Sequence, residues 1–158
     1  MDAAEYRIGT LAELNIVVSF KIRMFQEVGA DSLLADDADV AVEREYGRLL
    51  KDGDLQHFVA LEDGNVVACA VGLIKRDPPF CFFRIPFYGF VADVYTIPEN
   101  RRRGHARQLT QEVLSWLEQK GVRMVRLIPS GPAQPMYEQL GFQESGEMVL
   151  HIESSTHG

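Results

Sequence analysis

The chain has little cysteine, no excess of base and no long uninterrupted apolar run, and each shortage removes a class of function. Its two cysteines, Cys69 and Cys81, lie in apolar runs without metal-ligand spacing. They read as buried free thiols in a reducing compartment, not as a disulfide framework or a zinc site. The four histidines, His57, His105, His151 and His157, form no cluster, so no metal is expected. A net charge of −7 speaks against a nucleic-acid surface, which needs a broad basic footprint. Phe80 to Val94 is the most apolar region, but Arg84, Pro86 and Asp93 interrupt it and no membrane span is expected. With no basic region leading into an apolar stretch and a small-residue cleavage site, a cytoplasmic location is the expectation. Phosphate loops of the Gly-Lys-Ser/Thr type and the Gly-x-Gly-x-x-Gly pattern are also missing.

What remains is a soluble globular balance, 46% apolar and 25% charged, in a length that suits one domain spanning residues 1–158. Tyr6 to Ile8 reads as a short strand. Thr10-Leu11-Ala12-Glu13 is a capping box, after which Leu11, Leu14, Val18, Ile22 and Phe25 recur at helical spacing up to Gly29. Asp36, Asp37 and Asp39 precede a second helix from about Val40 to Leu50. His57 to Leu61 and Val66 to Ile74 form a hairpin across Glu62-Asp63-Gly64-Asn65, and Gly89 to Ile97 reads as a central strand closed by Pro98. Arg103 to Lys120 is an amphipathic helix with a stripe of Ala106, Leu109, Val113 and Leu117. Met124 to Ile128, a short helix from about Ala133 to Leu140, and a last strand at Met148 to Ile152 complete a mixed α/β reading around one sheet.

Charge is unevenly spread. Four of the twelve arginines fall between Arg101 and Arg107, so an acidic protein carries one concentrated cationic spot. They sit at a helix start, where unpaired N–H groups and the macrodipole already favour an anion. Gly104 lets an anion approach the backbone, Ala106 is nearly as unobtrusive, and guanidinium groups bind phosphate oxygens bidentately. A solvated basic turn is the competing reading, but arginines at that end oppose the helix dipole.

Asp93-Val94-Tyr95-Thr96-Ile97-Pro98-Glu99-Asn100-Arg101-Arg102-Arg103-Gly104-His105-Ala106 resembles the acetyl-CoA motif of the GCN5-related N-acetyltransferases. Pro135-Met136-Tyr137-Glu138-Gln139-Leu140-Gly141-Phe142 is similar to that superfamily's second motif. The resemblance implies a GNAT-like domain, α/β (α+β), with a central mixed, mostly antiparallel sheet flanked by about four helices. It implies acetyl-CoA as co-substrate, with no metal, and transfer of the acetyl group to a primary amine of a small molecule or peptide. Backbone groups of Val94, Tyr95 and Thr96 would meet the pantetheine arm, and an N–H near Val94 would face the developing oxyanion. Arg101, Arg102, Arg103, Gly104, His105, Ala106 and Arg107 would hold the pyrophosphate. Tyr137 would meet the departing sulfur.

The attacking amine must first lose a proton, which a lysine-like pKa of about 10.4 makes costly at neutral pH. Asp93 and Glu27 are the candidate bases; an internal arginine partner for Asp93 and simple solvation of Glu27 are the alternatives. Arg23, Phe25 and Glu27 lie where the resemblance puts the acceptor. Phe80, Phe82, Phe83, Phe87 and Tyr88 suit a core, an apolar acceptor pocket or a homodimer contact. A non-catalytic acyl-CoA sensor on the same fold, and a binder of some other phosphate ligand, are the alternative functions.

Overall fold

In the computed structural model, which describes residues 3–78 and 85–152, the first corner of the chain forms by the capping box. The Thr10 N–H donates to Glu13 Oε1 at 2.8 Å, and a 3-10 turn over Leu11–Glu13 leads into helix α1, Leu14–Glu27. Leu11 therefore faces solvent, and the buried stripe is Leu14, Val17, Val18 and Phe20. Arg7 grips both Glu13 oxygens at 2.8 and 2.7 Å, and its guanidinium holds the Glu13 carboxyl at about 2.

Up to Ile128 the chain is one compact unit. Its strands are β1 (Glu5–Ile8), β2 (Leu55–Glu62), β3 (Asn65–Arg76), β4 (Phe87–Thr96) and β5 (Val125–Arg126), in spatial order β1-β2-β3-β4-β5. The first three junctions are antiparallel and β4–β5 is parallel, a mixed and mostly antiparallel sheet. Helices α2 (Ala38–Asp52) and α3 (His105–Gln119) complete this unit.

Adjacent residues of β3 divide the two faces of the sheet. Val71 joins Leu14, Val17, Val18, Tyr46 and Val59 in the core beneath α1 and α2. A Cβ on Gly72 would instead meet Val113 Cγ1 of α3 at 2.9 Å, and one on Gly89 would meet Leu117 Cδ1 at 2.7 Å. Helix α3 thus lies against glycine backbone on the other face. Each large aliphatic side chain buried this way contributes about 1.5–3 kcal/mol.

The stripe expected on α3 is displaced by one residue at its start. Ala106 is half-buried, and the buried positions are His105, Leu109, Thr110, Val113 and Leu117. Thr110 tolerates burial because its hydroxyl donates to the Ala106 carbonyl at 2.7 Å. Cys69 is a buried free thiol, whereas Cys81, Phe80, Phe82 and Phe83 lie outside the described residues. Among the described residues no helix is long and apolar enough to cross a membrane.

The second unit, Pro129–Gly158, contains α4, Gln134–Gln139. The strand expected at Met148 to Ile152 does not form, and Met148, Val149, Leu150 and Ile152 are exposed. A strand needs a neighbour for its N–H and C=O groups, and no described residue pairs with this segment. Met124 to Ile128 is likewise pared down to two strand residues, ahead of Pro129.

Candidate functional site

Strand β4 has a complete neighbour on one side only. It pairs with β3 from Phe87 to Thr96, but with β5 only at Gly89 and Phe90. From Val91 onward no strand among the described residues pairs with the edge on the β5 side. Ile97 N–H donates to Val67 of the β3 side at 2.9 Å, so alternation along the strand turns Thr96 and Val94 to the open side. The Thr96 carbonyl confirms this direction by accepting from Arg101 Nε at 2.9 Å. An unpaired strand edge is a template for an extended chain carrying amides.

The same strand carries a bulge on its β3 side. Cys69 pairs with Tyr95 and Val71 with Ala92, which leaves Asp93 and Val94 opposite Ala70 alone. Asp93 has φ 53, a left-handed conformation that Asp and Asn tolerate better than other side chains. Its carboxylate points into the core beneath α1 and α2. Lys21 Nζ lies 2.8 Å from Oδ1, and the Tyr46 hydroxyl donates to Oδ2. Burial first, then the Asp93 charge, push the Tyr46 phenol far above its ordinary range. Lys21 and Tyr46 were not legible as site residues in the sequence; they sit 72 and 47 positions from Asp93.

Beyond the 3-10 turn Pro98–Asn100, the chain reaches α3 through two left-handed residues, Arg102 (φ 65) and Gly104 (φ 84). The first helical bond runs from Gln108 N–H to the Gly104 carbonyl at 3.1 Å, and no side chain caps the helix. Helix geometry assigns no acceptor one turn back to the N–H groups of the first helical residues, from His105 onward. An added Cβ on Gly104 would meet nothing within 4 Å, so the space above this end is open.

The arginines do not all face that space. Arg103 Nη1 holds Glu62 Oε2 at 2.8 Å and Oε1 at 2.9 Å, and Asn100 Nδ2 donates to the same carboxylate. Arg101 Nη2 lies 2.6 Å from Glu27 Oε2. His105 turns its ring inward, with Nδ1 2.8 Å from the Tyr6 hydroxyl and Nε2 3.5 Å from Glu62 Oε1, while its backbone stays at the helix start. Arg102 and Arg107 are exposed. Glu62, in a hairpin by sequence, offered no sign that it would anchor this turn.

Glu27, Arg23 and Tyr95 come together at the end of α1. The Tyr95 hydroxyl donates to Glu27, and this bond, with Arg101, holds the Glu27 carboxyl below the usual carboxylate range. The Arg23 guanidinium lies over the rings of Phe20 and Tyr95, at 5.8 and 5.7 Å. Phe25 is half-buried two residues before the helix ends. In the second unit, Tyr137 of α4 packs edge-on against Phe142 at 5.9 Å. No group of three metal-capable side chains occurs among the described residues.

Along residues 91–107 a strand edge that β5 leaves open is followed by an arginine-glycine turn and a helix start. The chain belongs to the acetyltransferase (GNAT) family, whose pattern it matches over residues 22–142. Aminoglycoside N(6')-acetyltransferase type 1 of Salmonella typhimurium is 29% identical over 119 residues, covering 73% of this chain and 79% of that protein. A Clostridium acetobutylicum protein described as a predicted acetyltransferase, solved with acetyl-CoA, superposes with a TM-score of 0.86 at 21% identity, covering 95% of this chain and 96% of the other. The aminoglycoside acetyltransferase AAC(6')-Iy, in complex with a CoA bisubstrate analogue, has a TM-score of 0.76 at 23% identity, covering 97% and 99%. At these identities the solved structures establish the fold.

Proposed function

We propose that residues 1–158 act as one N-acetyltransferase domain that moves the acetyl group of acetyl-CoA onto a primary amine of a small molecule or peptide. The observation that carries this reading is the bare edge of β4 from Val91 to Thr96, running directly toward the uncapped start of α3. Coenzyme A supplies an activated thioester, an amide-bearing arm that suits such an edge, and a pyrophosphate that suits such a helix start.

In this reading Val94, Tyr95 and Thr96 form the bed of the arm, with the outward groups of Val94 and Thr96 as its hydrogen-bond partners. The Val94 N–H faces the carbonyl oxygen as negative charge develops there. The N–H groups of His105, Ala106 and Arg107, with the guanidinium groups of Arg102 and Arg107, take the pyrophosphate. Arg101 and Arg103, each held by a carboxylate, keep the turn in shape and add positive potential. Arg23, Phe25 and Glu27 line the acceptor side. The names of the Salmonella relatives bring aminoglycoside amines into the set of acceptors to test.

The amine nitrogen attacks the thioester carbon, the C–S bond breaks, and the amine's proton passes to solvent. Glu27 is a poor acceptor of that proton because Tyr95 and Arg101 already stabilise its charged form. Tyr137 hydrogen-bonds the leaving sulfur. A phenol is a weaker acid than a thiol, with reference pKa values of about 10 and about 8.5, which favours that bond over full proton donation.

Thermal unfolding with CoA, acetyl-CoA and ATP at matched concentrations tests the donor half. A ligand at about 100 times its dissociation constant stabilises by about 2.7 kcal/mol. Both CoA ligands are expected to raise Tm and ATP to raise it less. No shift with CoA would sink the reading, and an equal shift with ATP would make the site a generic anion seat. Amine-dependent release of free thiol then separates an enzyme from a sensor. In that assay Tyr137→Phe is expected to keep the CoA shift and to lower turnover about tenfold. Lost CoA binding would assign Tyr137 a different role.

A further inference from the structure

We propose that Lys21 and Tyr46 are positioning residues for acetyl transfer: through Asp93 they hold the β4 bulge in the one conformation that turns the Val94 N–H to the open edge. The inference rests on the acetyl-transfer reading above. It also gives Asp93 a mechanical task in place of proton transfer.

Every oxygen of Asp93 is engaged, and each by a different element. Oδ1 meets Lys21 of α1 at 2.8 Å, Oδ2 accepts from Tyr46 of α2, and the backbone carbonyl accepts from Cys69 Sγ of β3 at 3.2 Å. The two helix groups also meet each other, with Lys21 Nζ 3.3 Å from the Tyr46 hydroxyl. Only 2% of the Asp93 side chain is exposed. A carboxylate enclosed this way, with both oxygens occupied, has little access to a proton on a bound amine.

Stability alone does not account for the cluster. A buried ion pair roughly cancels its own desolvation, and apolar residues of similar volume commonly serve as well or better. A left-handed non-glycine residue adds about 1–2 kcal/mol of cost. What the arrangement uniquely provides is a defined backbone at the two residues that oppose Ala70. Those two residues stand where β5 has left the edge of β4 open. Without the anchors, a bulge in an edge half-stripped of its ladder has several conformations within a few kcal/mol, and only some aim the Val94 N–H outward.

Positioning separates two substitutions that proton transfer would make equally inactive. Asparagine tolerates the left-handed conformation and still accepts from Tyr46; alanine does neither. Asp93→Ala is expected to lower kcat about 100-fold, as loss of an oxyanion donor does, with CoA affinity within about threefold of the parent. Asp93→Asn is expected to recover most of that loss, leaving kcat about fivefold down. Backbone amide exchange across residues 91–96 should quicken in Asp93→Ala and stay near the parent rate in Asp93→Asn. Should Asp93→Ala fail to fold, Tyr46→Phe removes a single anchor and is expected to lower kcat about tenfold with acceptor KM unchanged. Equal inactivity of folded Asp93→Asn and Asp93→Ala, with parent-like exchange in the asparagine variant, would overturn the proposal in favour of a catalytic base. Parent-like turnover and exchange in Asp93→Ala, or in Tyr46→Phe, would overturn it outright. A parent protein that turns over no amine would sink the acetyl-transfer reading, and the exchange comparison would still decide whether the cluster holds the bulge.

Discussion

Gly104→Val is expected to weaken CoA binding at least about a hundredfold while leaving the protein folded. Gly104 has φ 84, which a β-branched residue adopts only under strain, so the turn relaxes to another conformation. The cost to the free protein is about 1–2 kcal/mol, because a side chain there would meet no other atom within 4 Å. The cost to the complex is larger. Hydrogen bonds to a charged group are worth about 1.5–3 kcal/mol each, and a displaced turn misaims two or more N–H donors at once. The new side chain also projects into the space an anion would occupy. Titration calorimetry with CoA beside a melting curve separates the two effects. A folded variant with parent affinity would remove the helix start from the binding site.

Gly9→Ala should be the most damaging small change to stability. A Cβ at Gly9 would lie 2.1 Å from His57 Cδ2 and 2.4 Å from Nε2. The ring has nowhere to retreat. His57 is fully buried, its Nε2 is 2.8 Å from the Thr10 carbonyl, and its own carbonyl accepts from the Gly9 N–H at 2.9 Å. Overpacking of this kind costs about 1–3 kcal/mol and occasionally more. For a chain of this length each kcal/mol lowers Tm by about 2–4 °C, so a fall of about 5–10 °C is expected. Adding His57→Ala removes the obstruction, and the double variant should lose less stability than the two single losses combined. A Gly9→Ala protein that melts with the parent would show that the β1–α1 corner yields more easily than its hydrogen bonds imply.

Both positions illustrate how legibility divides in this chain. Gly104 could be singled out in advance as the turn before α3 because its setting is local: an arginine run, a glycine and an amphipathic helix follow one another within a few residues. Gly9 could not, since its neighbour His57 is 48 positions away and meets it only across β1 and β2. The strand at Met148 to Ile152 failed for a related reason. Its composition suits a strand, but composition does not supply a partner, and among the described residues none pairs with it. Leu11 likewise fits a helical stripe by spacing, yet the capping box starts the helix three residues later and turns Leu11 outward.

The arginine cluster is the clearest case. By sequence all four guanidinium groups belong to one anion site. In the fold Arg101 and Arg103 are tied to Glu27 and Glu62, 74 and 41 residues distant, and His105 turns inward to Tyr6. Isolated surface pairs of this kind contribute about 0–1 kcal/mol, so they matter more for shaping the turn than for stability.

By itself the sequence determined most of the elements and the family, and it marked residues 101–107 as the place to expect a pyrophosphate-type anion. Those properties follow from short-range rules: hydrophobic period, caps, turn residues, and charge placed at a helix start. The tertiary structure alone decided which arginines are tethered, that β5 leaves β4 after two residues, and that Asp93 is gripped from two helices. Each of these depends on groups far apart in the chain arriving within 3 Å or so of one another. Such meetings are set by how the whole sheet and its helices pack, and no window of sequence records them.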